Sequence, residues 1–344
     1  MFIHSLAFPI DQTLNALLCF FFYRNHVLES LPYIGSTASY QLMRDQIIDN
    51  AIPKRLAHSW MTSLSFIQRP DEETLETFYT ILEFSRKKVD PEYTLGASAV
   101  IHSFCRHNEN CAENLKVQRI VNLLETEFLS LFNMYRGERR TRERMIVILK
   151  GLGNIGVISG PFAAQLQEII TRNLTSLEIR LQAVIAFRRV DCMLYRDFFL
   201  DTYGNYTLNS EIRIFSYLQA MRCPDYIAIN RIKQILEHEE INQVGSYVWS
   251  HLKNLAKSSS PIRIEAQGLL LNDDLSDKFK MDIRKFSRNY EHSLFFDEYN
   301  FGKFLQLETN QTILSLSIIF YIQALQPILI YYSAPIRICH AWLL

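Results

Sequence analysis

Turn residues are scarce in this chain. Its 344 residues include 11 glycines and 10 prolines, roughly half the usual share. Many tight hairpins would need more of both, so the shortage argues against a fold of short strands and favours long helices. Excess charge is missing as well: 36 basic residues balance 36 acidic ones. A general grip on nucleic acid normally needs a basic surface, so nucleic acid is not expected as a partner. Six cysteines are too few for a disulfide-built scaffold. No basic stretch precedes the apolar run Leu17-Leu18-Cys19-Phe20-Phe21-Phe22, and no small-residue cleavage site follows it. The start therefore does not read as a clean signal peptide. No Ser/His/Asp, Cys/His or paired-carboxylate arrangement stands out. The chain is accordingly not read as an enzyme, and no catalytic residue is assigned.

What is present suits a helical core. Apolar residues make up 48% and charged residues 21%, as in globular chains with a real interior. Pro70-Asp71-Glu72-Glu73 opens a helix: Asp71 can cap it, and the acids suit the positive end of the dipole. Leu75, Phe78, Tyr79 and Leu82 follow at helical spacing. Val117, Val121, Leu124, Phe128 and Leu131 line a second face, and Pro224-Asp225 starts another helix with Ile229, Ile232 and Leu236 on one side.

The later helices repeat. Glu178-Ile-Arg-Leu-Gln-Ala-Val-Ile-Ala-Phe returns as Glu211-Ile-Arg-Ile-Phe-Ser-Tyr-Leu-Gln-Ala. A third copy begins at Asn242, and one begins earlier, at Glu143. A period of 31–35 residues with two helices per unit marks an α-solenoid, in which neighbouring pairs share one core. Residues 38–256 are expected to be almost wholly helical. Beyond the break Lys257-Ser258-Ser259-Ser260-Pro261, a short β start is expected near 293–301.

Gly151-Leu152-Gly153-Asn154-Ile155-Gly156 matches the dinucleotide fingerprint G-x-G-x-x-G. In the repeat register, however, Met145-Ile146-Val147-Ile148-Leu149 is helix and not the strand that motif needs. The glycines then fall where the helix ends, and no cofactor is expected.

His102, Cys105, His107 and Cys111 could be drawn as a zinc site, but the spacing fits no common closed site well. A Cys105–Cys111 disulfide closing a small interhelix loop is simpler; free thiols and a metal remain open. Cys192 and Cys223 hold equivalent places in adjacent repeats and read as buried thiols. Asn173, Asn205 and Asn310 begin N-x-[ST] sequons, more than the roughly one or two expected by chance, which points towards secretion. Arg136, Arg139, Arg140, Arg142 and Arg144 read as a solvated turn and first helical turn. Residues 313–332 are nearly all apolar and long enough to span a bilayer, but Gln323, Gln326 and Pro327 interrupt them. Membrane contact through this segment is not the favoured reading.

Several stretches together resemble the large lipid transfer proteins: vitellogenins, insect apolipophorins, apolipoprotein B and the microsomal triglyceride transfer protein. They are Leu28-Glu-Ser-Leu-Pro-Tyr-Ile-Gly-Ser-Thr-Ala-Ser, Ser65-Phe-Ile-Gln-Arg-Pro, Leu149-Lys-Gly-Leu-Gly-Asn-Ile-Gly, the two Glu-Ile-Arg helices, Gln243-Val-Gly-Ser-Tyr-Val-Trp-Ser-His-Leu and Lys285-Phe-Ser-Arg-Asn-Tyr-Glu. The last two look most like apolipophorin. The resemblance implies an all-α superhelix, a two-layered helical horseshoe over 27–270, followed by the start of a β region at 271–302. It leaves 1–26 and the apolar tail 303–344 unmatched. It further implies a secreted, non-catalytic lipid-transport role with lipids as partners, alongside β-sheet regions outside this chain. A short-range disulfide is common in this helical region of the family, and Cys105 and Cys111 match its spacing. A cytosolic α-solenoid that binds proteins is the alternative.

Overall fold

The computed structural model describes residues 24–64, 67, 69–86, 90–258, 267–270, 279, 288–296, 301–309 and 319–323, the strands by their backbone alone. Helices dominate. They are α1 (Arg24–Ile34), α2 (Thr37–Ile48), α3 (Lys54–Ser63), α4 (Glu72–Ser85), α5 (Pro91–Cys105), α6 (Leu115–Met134) and α7 (Arg139–Ile155). Then come α8 (Gly160–Thr171), α9 (Leu177–Ala186), α10 (Cys192–Gly204), α11 (Ser210–Ala220), α12 (Tyr226–Glu237) and α13 (Asn242–Ala256). From 38 to 256, every regular segment among the described residues is helix, as the periodicity predicts.

The helix starts are chemically explicit. Asp71 accepts a hydrogen bond from Thr74 N at 2.7 Å and caps α4, and Asp225 does the same for Ala228 N at α12. Ser36, Asn114, Ser159 and Asn209 cap α2, α6, α8 and α11. Each cap satisfies a backbone donor that the helix cannot. The apolar spacings then bury the expected faces: Leu75, Phe78 and Leu82 on α4, Val117, Val121, Leu124 and Phe128 on α6, and Ile229, Ile232 and Leu236 on α12.

The chain divides into two compact units, Met1–Asp191 and Cys192–Leu344. In the first, α1, α3, α5, α7 and α9 pack in succession as one layer, and α2, α4 and α6 as a second. Trp60 of α3 is buried and donates through Nε1 to the Leu28 carbonyl at 2.8 Å, locking α3 to α1. In the second unit α11 packs on α13 and α10 on α12, with β1 against α13. Single helices of 10–15 residues are marginal alone, so burial against both layers is what stabilises them.

Three antiparallel strands follow, β1 (Arg288–Phe296), β2 (Phe301–Thr309) and β3 (Ile319–Gln323), in the order β1-β2-β3. The register runs from Arg288 opposite Thr309 to Phe296 opposite Phe301. The strand thus starts earlier than the apolar signal near 293–301, because polar Arg288 and Asn289 pair through their backbone with Thr309 and Glu308. The segment 303–344, set apart on sequence as an apolar tail, contributes most of β2 and all of β3. Apart from β3, residues 313–332 lie outside the described residues. Among the described residues no helix is long and apolar enough to cross a membrane.

Candidate functional surface

The three glycines of the fingerprint do three different jobs, none of them at a phosphate. Only Gly156 has the left-handed conformation, φ 82°, and its N–H closes α7 on the Leu152 carbonyl at 2.9 Å. Gly151 and Gly153 sit inside the helix. A Cβ on Gly151 would lie 2.9 Å from Thr94 Cγ2 of α5, so this glycine sets how closely α7 approaches α5. A Cβ on Gly153 would lie 2.0 Å from Arg188 Nη1. Through that gap Arg188 donates to the Lys150 carbonyl at 2.8 Å and to Asn154 Oδ1 at 2.5 Å. The sequence places all three glycines at the helix end; the structure corrects this for two of them, which serve side-chain and helix packing.

The candidate zinc set does not converge. Cys105 ends α5 and is bonded to Cys111, with 5.0 Å between their Cα atoms. His102 is hydrogen-bonded to the backbone at Ile155, and His107 Nδ1 contacts the Ser103 carbonyl at 2.9 Å. Cys192 and Cys223 overturn their expected reading: they are half-buried and bonded to each other, Cα to Cα 6.1 Å. The bond joins the first turn of α10 to the loop before α12, where Arg196 also pairs with Asp225 at 2.7 Å. Equivalent positions in successive repeats face each other, which is why two cysteines a repeat apart can meet.

The arginine run is solvated except at its end. Arg139 pairs with Glu143 on the surface at 2.7 Å. Arg144 is instead buried, holding Glu127 with Nε and Nη2 at 2.7 and 3.1 Å and donating to Thr94 Oγ1. One turn into the helix, the side chain has rotated from the solvent to the core face. Asn173 and Asn205 are exposed. Asn173 Oδ1 accepts from Arg180, and Asn205 Oδ1 accepts from Thr207 N and Oγ1 within its own sequon. Asn310 lies outside the described residues.

The repeats also share one partly exposed position. The eighth position of each copy is Lys150, Ile185, Leu218 and Trp249, and each is half-exposed. The position before it, Leu149, Val184, Tyr217 and Val248, is fully buried. On α11 and α13, which pack together, this leaves Leu218 and Trp249 as half-exposed apolar residues, with Lys253 Nζ 5.7 Å from the indole centroid. Burial and the nearby Arg188 lower the pKa of the Lys150 ammonium. More exposed apolar residues among those described sit at helix ends, by contrast: Leu115 at the start of α6, Leu194 on α10, and Tyr226 and Ile227 on α12. No simple residue pattern announced this position; only the repeat alignment brings it out.

Comparison with known proteins follows the same register. Residues 10–253 match the vitellogenin TPR domain, more than half of the chain. The chain belongs to that family. The match begins at residue 10, inside the segment 1–26 that sequence reading left unmatched. Apolipophorins from Locusta migratoria are 30% identical over 247 residues, 72% of this chain and 7% of theirs. Vitellogenin from Penaeus merguiensis is 28% identical over 77% of this chain and 10% of its own length. A lipovitellin structure determined for its lipid–protein interactions superposes with a TM-score of 0.74 at 18% identity, covering 87% of this chain and 32% of that one. This likeness shows the fold, the all-α superhelix of the vitellogenin helical region. The vitellogenin-type module described here thus spans only a small share of the relatives it matches.

Proposed function

We propose that this chain is the helical module of a secreted lipid-transport protein of the vitellogenin and apolipophorin type, acting without catalysis. The observation that carries the reading is the family match over 10–253 to proteins of that kind. The half-exposed Leu218 and Trp249 on α11 and α13, which pack together, support it. Apolar area removed from water is what gives a lipid its affinity for protein, and a recurring apolar position on stacked helices is a surface for lipid or for a lipid-bearing sheet. The sequons at Asn173, Asn205 and Asn310 and the Cys105–Cys111 bond fit an extracellular location.

The test is direct. The chain is expressed through a secretory host, purified without detergent, and its bound lipid is extracted and counted by mass spectrometry. Wild type is expected to retain lipid or take it up from phospholipid vesicles. Leu218→Glu combined with Trp249→Glu should lower the retained lipid severalfold while helicity is unchanged. A monodisperse, lipid-free protein that takes up nothing from vesicles would overturn the proposal.

A further inference from the structure

A second group of side chains lies at the junction of α3 and α5. His58 comes from the middle of α3; Asp90 precedes α5, and Glu92 sits in its first turn. His58 Nε2 lies 3.6 Å from Asp90 Oδ2, and His58 Nδ1 lies 3.4 Å from Glu92 Oε1. One donor atom from each of the three residues falls within 4.8 Å of the others. The two carboxylates approach different ring nitrogens, of which an ion would take one, and both contacts are long for direct hydrogen bonds.

Two observations argue that the group is built for a ligand. First, His58 Nε2 and Glu92 Oε2 are both shielded from solvent and have no hydrogen-bond partner. Buried polar atoms are normally satisfied, so two in one cluster call for an explanation. Second, the surroundings fix the donors. Lys54 Nζ holds Asp90 Oδ1 at 2.6 Å, leaving Oδ2 towards the imidazole. Tyr93 stands edge-on to the His58 ring, 5.8 Å away at 87°. The three side chains are 24%, 16% and 33% exposed, and Asp90 also lines a cavity of about 570 Å³ with Asn50, Lys54, Arg140 and Glu143. That cavity meets the group at Asp90.

We infer that His58, Asp90 and Glu92 form a three-donor site for a divalent transition cation of the zinc type. One imidazole nitrogen with two carboxylate oxygens suits zinc, which accepts nitrogen and oxygen ligands in fourfold geometry and takes water in the remaining place. Three donors are too few, and the nitrogen is wrong, for calcium, which needs six to eight oxygens. Two carboxylates offset the ion's charge, with Lys54 moderating the excess. The bound ion would pin α3 to the start of α5. Asp90 makes no side-chain cap hydrogen bond to α5, so its carboxylate is not committed to the helix start.

The experiment uses the purified full chain, stripped with a chelator and titrated with Zn2+ alone by calorimetry. A saturable site of one equivalent is expected. His58→Gln, Asp90→Asn and Glu92→Gln should each weaken it at least tenfold, with helicity by circular dichroism unchanged. X-ray absorption of the zinc-loaded wild type should show nitrogen and oxygen neighbours only, which tests the site without any variant. Equal affinity in wild type and all three variants, sulfur in the zinc shell, displacement by equimolar Ca2+, or no saturable binding up to millimolar Zn2+ would overturn the inference.

Discussion

Arg180 and Arg213 hold the same place in consecutive repeats, and each donates to a backbone carbonyl ten residues earlier, Ile170 for one and Tyr203 for the other. Their remaining partners differ. Among the described residues Arg180 otherwise reaches the neutral Asn173 Oδ1, at 3.2 Å. Arg213 is fully buried and faces Glu239, itself 0% exposed, with both guanidinium nitrogens on its two carboxylate oxygens. Tyr206 adds its ring 4.8 Å from the guanidinium. The repeated Glu-Ile-Arg thus specifies where an arginine stands and which carbonyl it holds. The residue following the next helix decides whether it becomes half of a buried ion pair. Sequence repetition fixes geometry here, and electrostatics is set locally.

Removing Glu239 breaks the comparison most severely. Glu239→Ala leaves Arg213 charged and buried, and also strips the acceptor of Ile241 N. The expected loss is about 3–5 kcal/mol of unfolding free energy. The matched change in the other repeat, Arg180→Met, removes hydrogen bonds from a charge that has no carboxylate partner among the described residues, and should cost about 1–2 kcal/mol. Urea unfolding of both variants decides the point. Equal losses would mean that the ion pair adds nothing beyond the shared carbonyl contact.

Much of this architecture can be seen in the residues themselves, and the reason is periodicity. Leu75, Phe78 and Leu82, or Ile229, Ile232 and Leu236, recur at a spacing only a helix can bury on one side. Asp71 and Asp225 are short polar residues placed where a helix needs an acceptor. What stayed hidden depends on contacts between segments far apart in the chain. Gly153 is indistinguishable from a helix-ending glycine until Arg188, from the next helix's end, is seen to fill its missing side chain. Arg144 belongs to a basic run until Glu127 claims it. Cys192 and Cys223 look too distant in sequence to meet until the repeat spacing brings them together. His58 gave no signal, because its partners lie 32 and 34 residues on, in another helix.

Gly153 extends the comparison to another arginine of the first unit, Arg188, which donates to the Lys150 carbonyl and Asn154 Oδ1. Gly153→Ala places a methyl 2.0 Å from Arg188 Nη1 and 3.1 Å from the Ala186 backbone. The arginine tip can swing away, but only by leaving the Lys150 carbonyl and Asn154. The expected destabilisation is about 2 kcal/mol, from overpacking and lost bonds and not from φ. Arg188→Ala combined with Gly153→Ala should recover part of it, since the clash is then gone. A double mutant as unstable as the sum of the single ones would show that the gap serves the backbone alone.

The smallest effect is a pH dependence in the first unit, where His102 lies among arginines. His102 sits where burial first, then Arg189 and Arg106, disfavour the imidazolium, and its pKa falls from 6.5 to about 4. The hydrogen bond to the backbone at Ile155 opposes this by raising the pKa, and Arg188 lowers it a little further. In the unfolded chain the same imidazole protonates near its ordinary value. Between about pH 6.5 and 4 the unfolded state therefore binds the extra proton. The stabilisation is complete above 6.5 and is lost as the pH falls towards 4. Because the ring is part-exposed, solvent screening reduces the amount to about 1 kcal/mol at pH 4.5. His102→Gln keeps a side-chain donor for Ile155 but cannot titrate. Unfolding free energies of wild type and variant, measured at pH 7.5 and 4.5, should differ by that amount more at neutral pH than at acid pH. Parallel acid slopes in the two proteins would show that His102 is protonated in the fold, and that the arginines around it are too well solvated to matter.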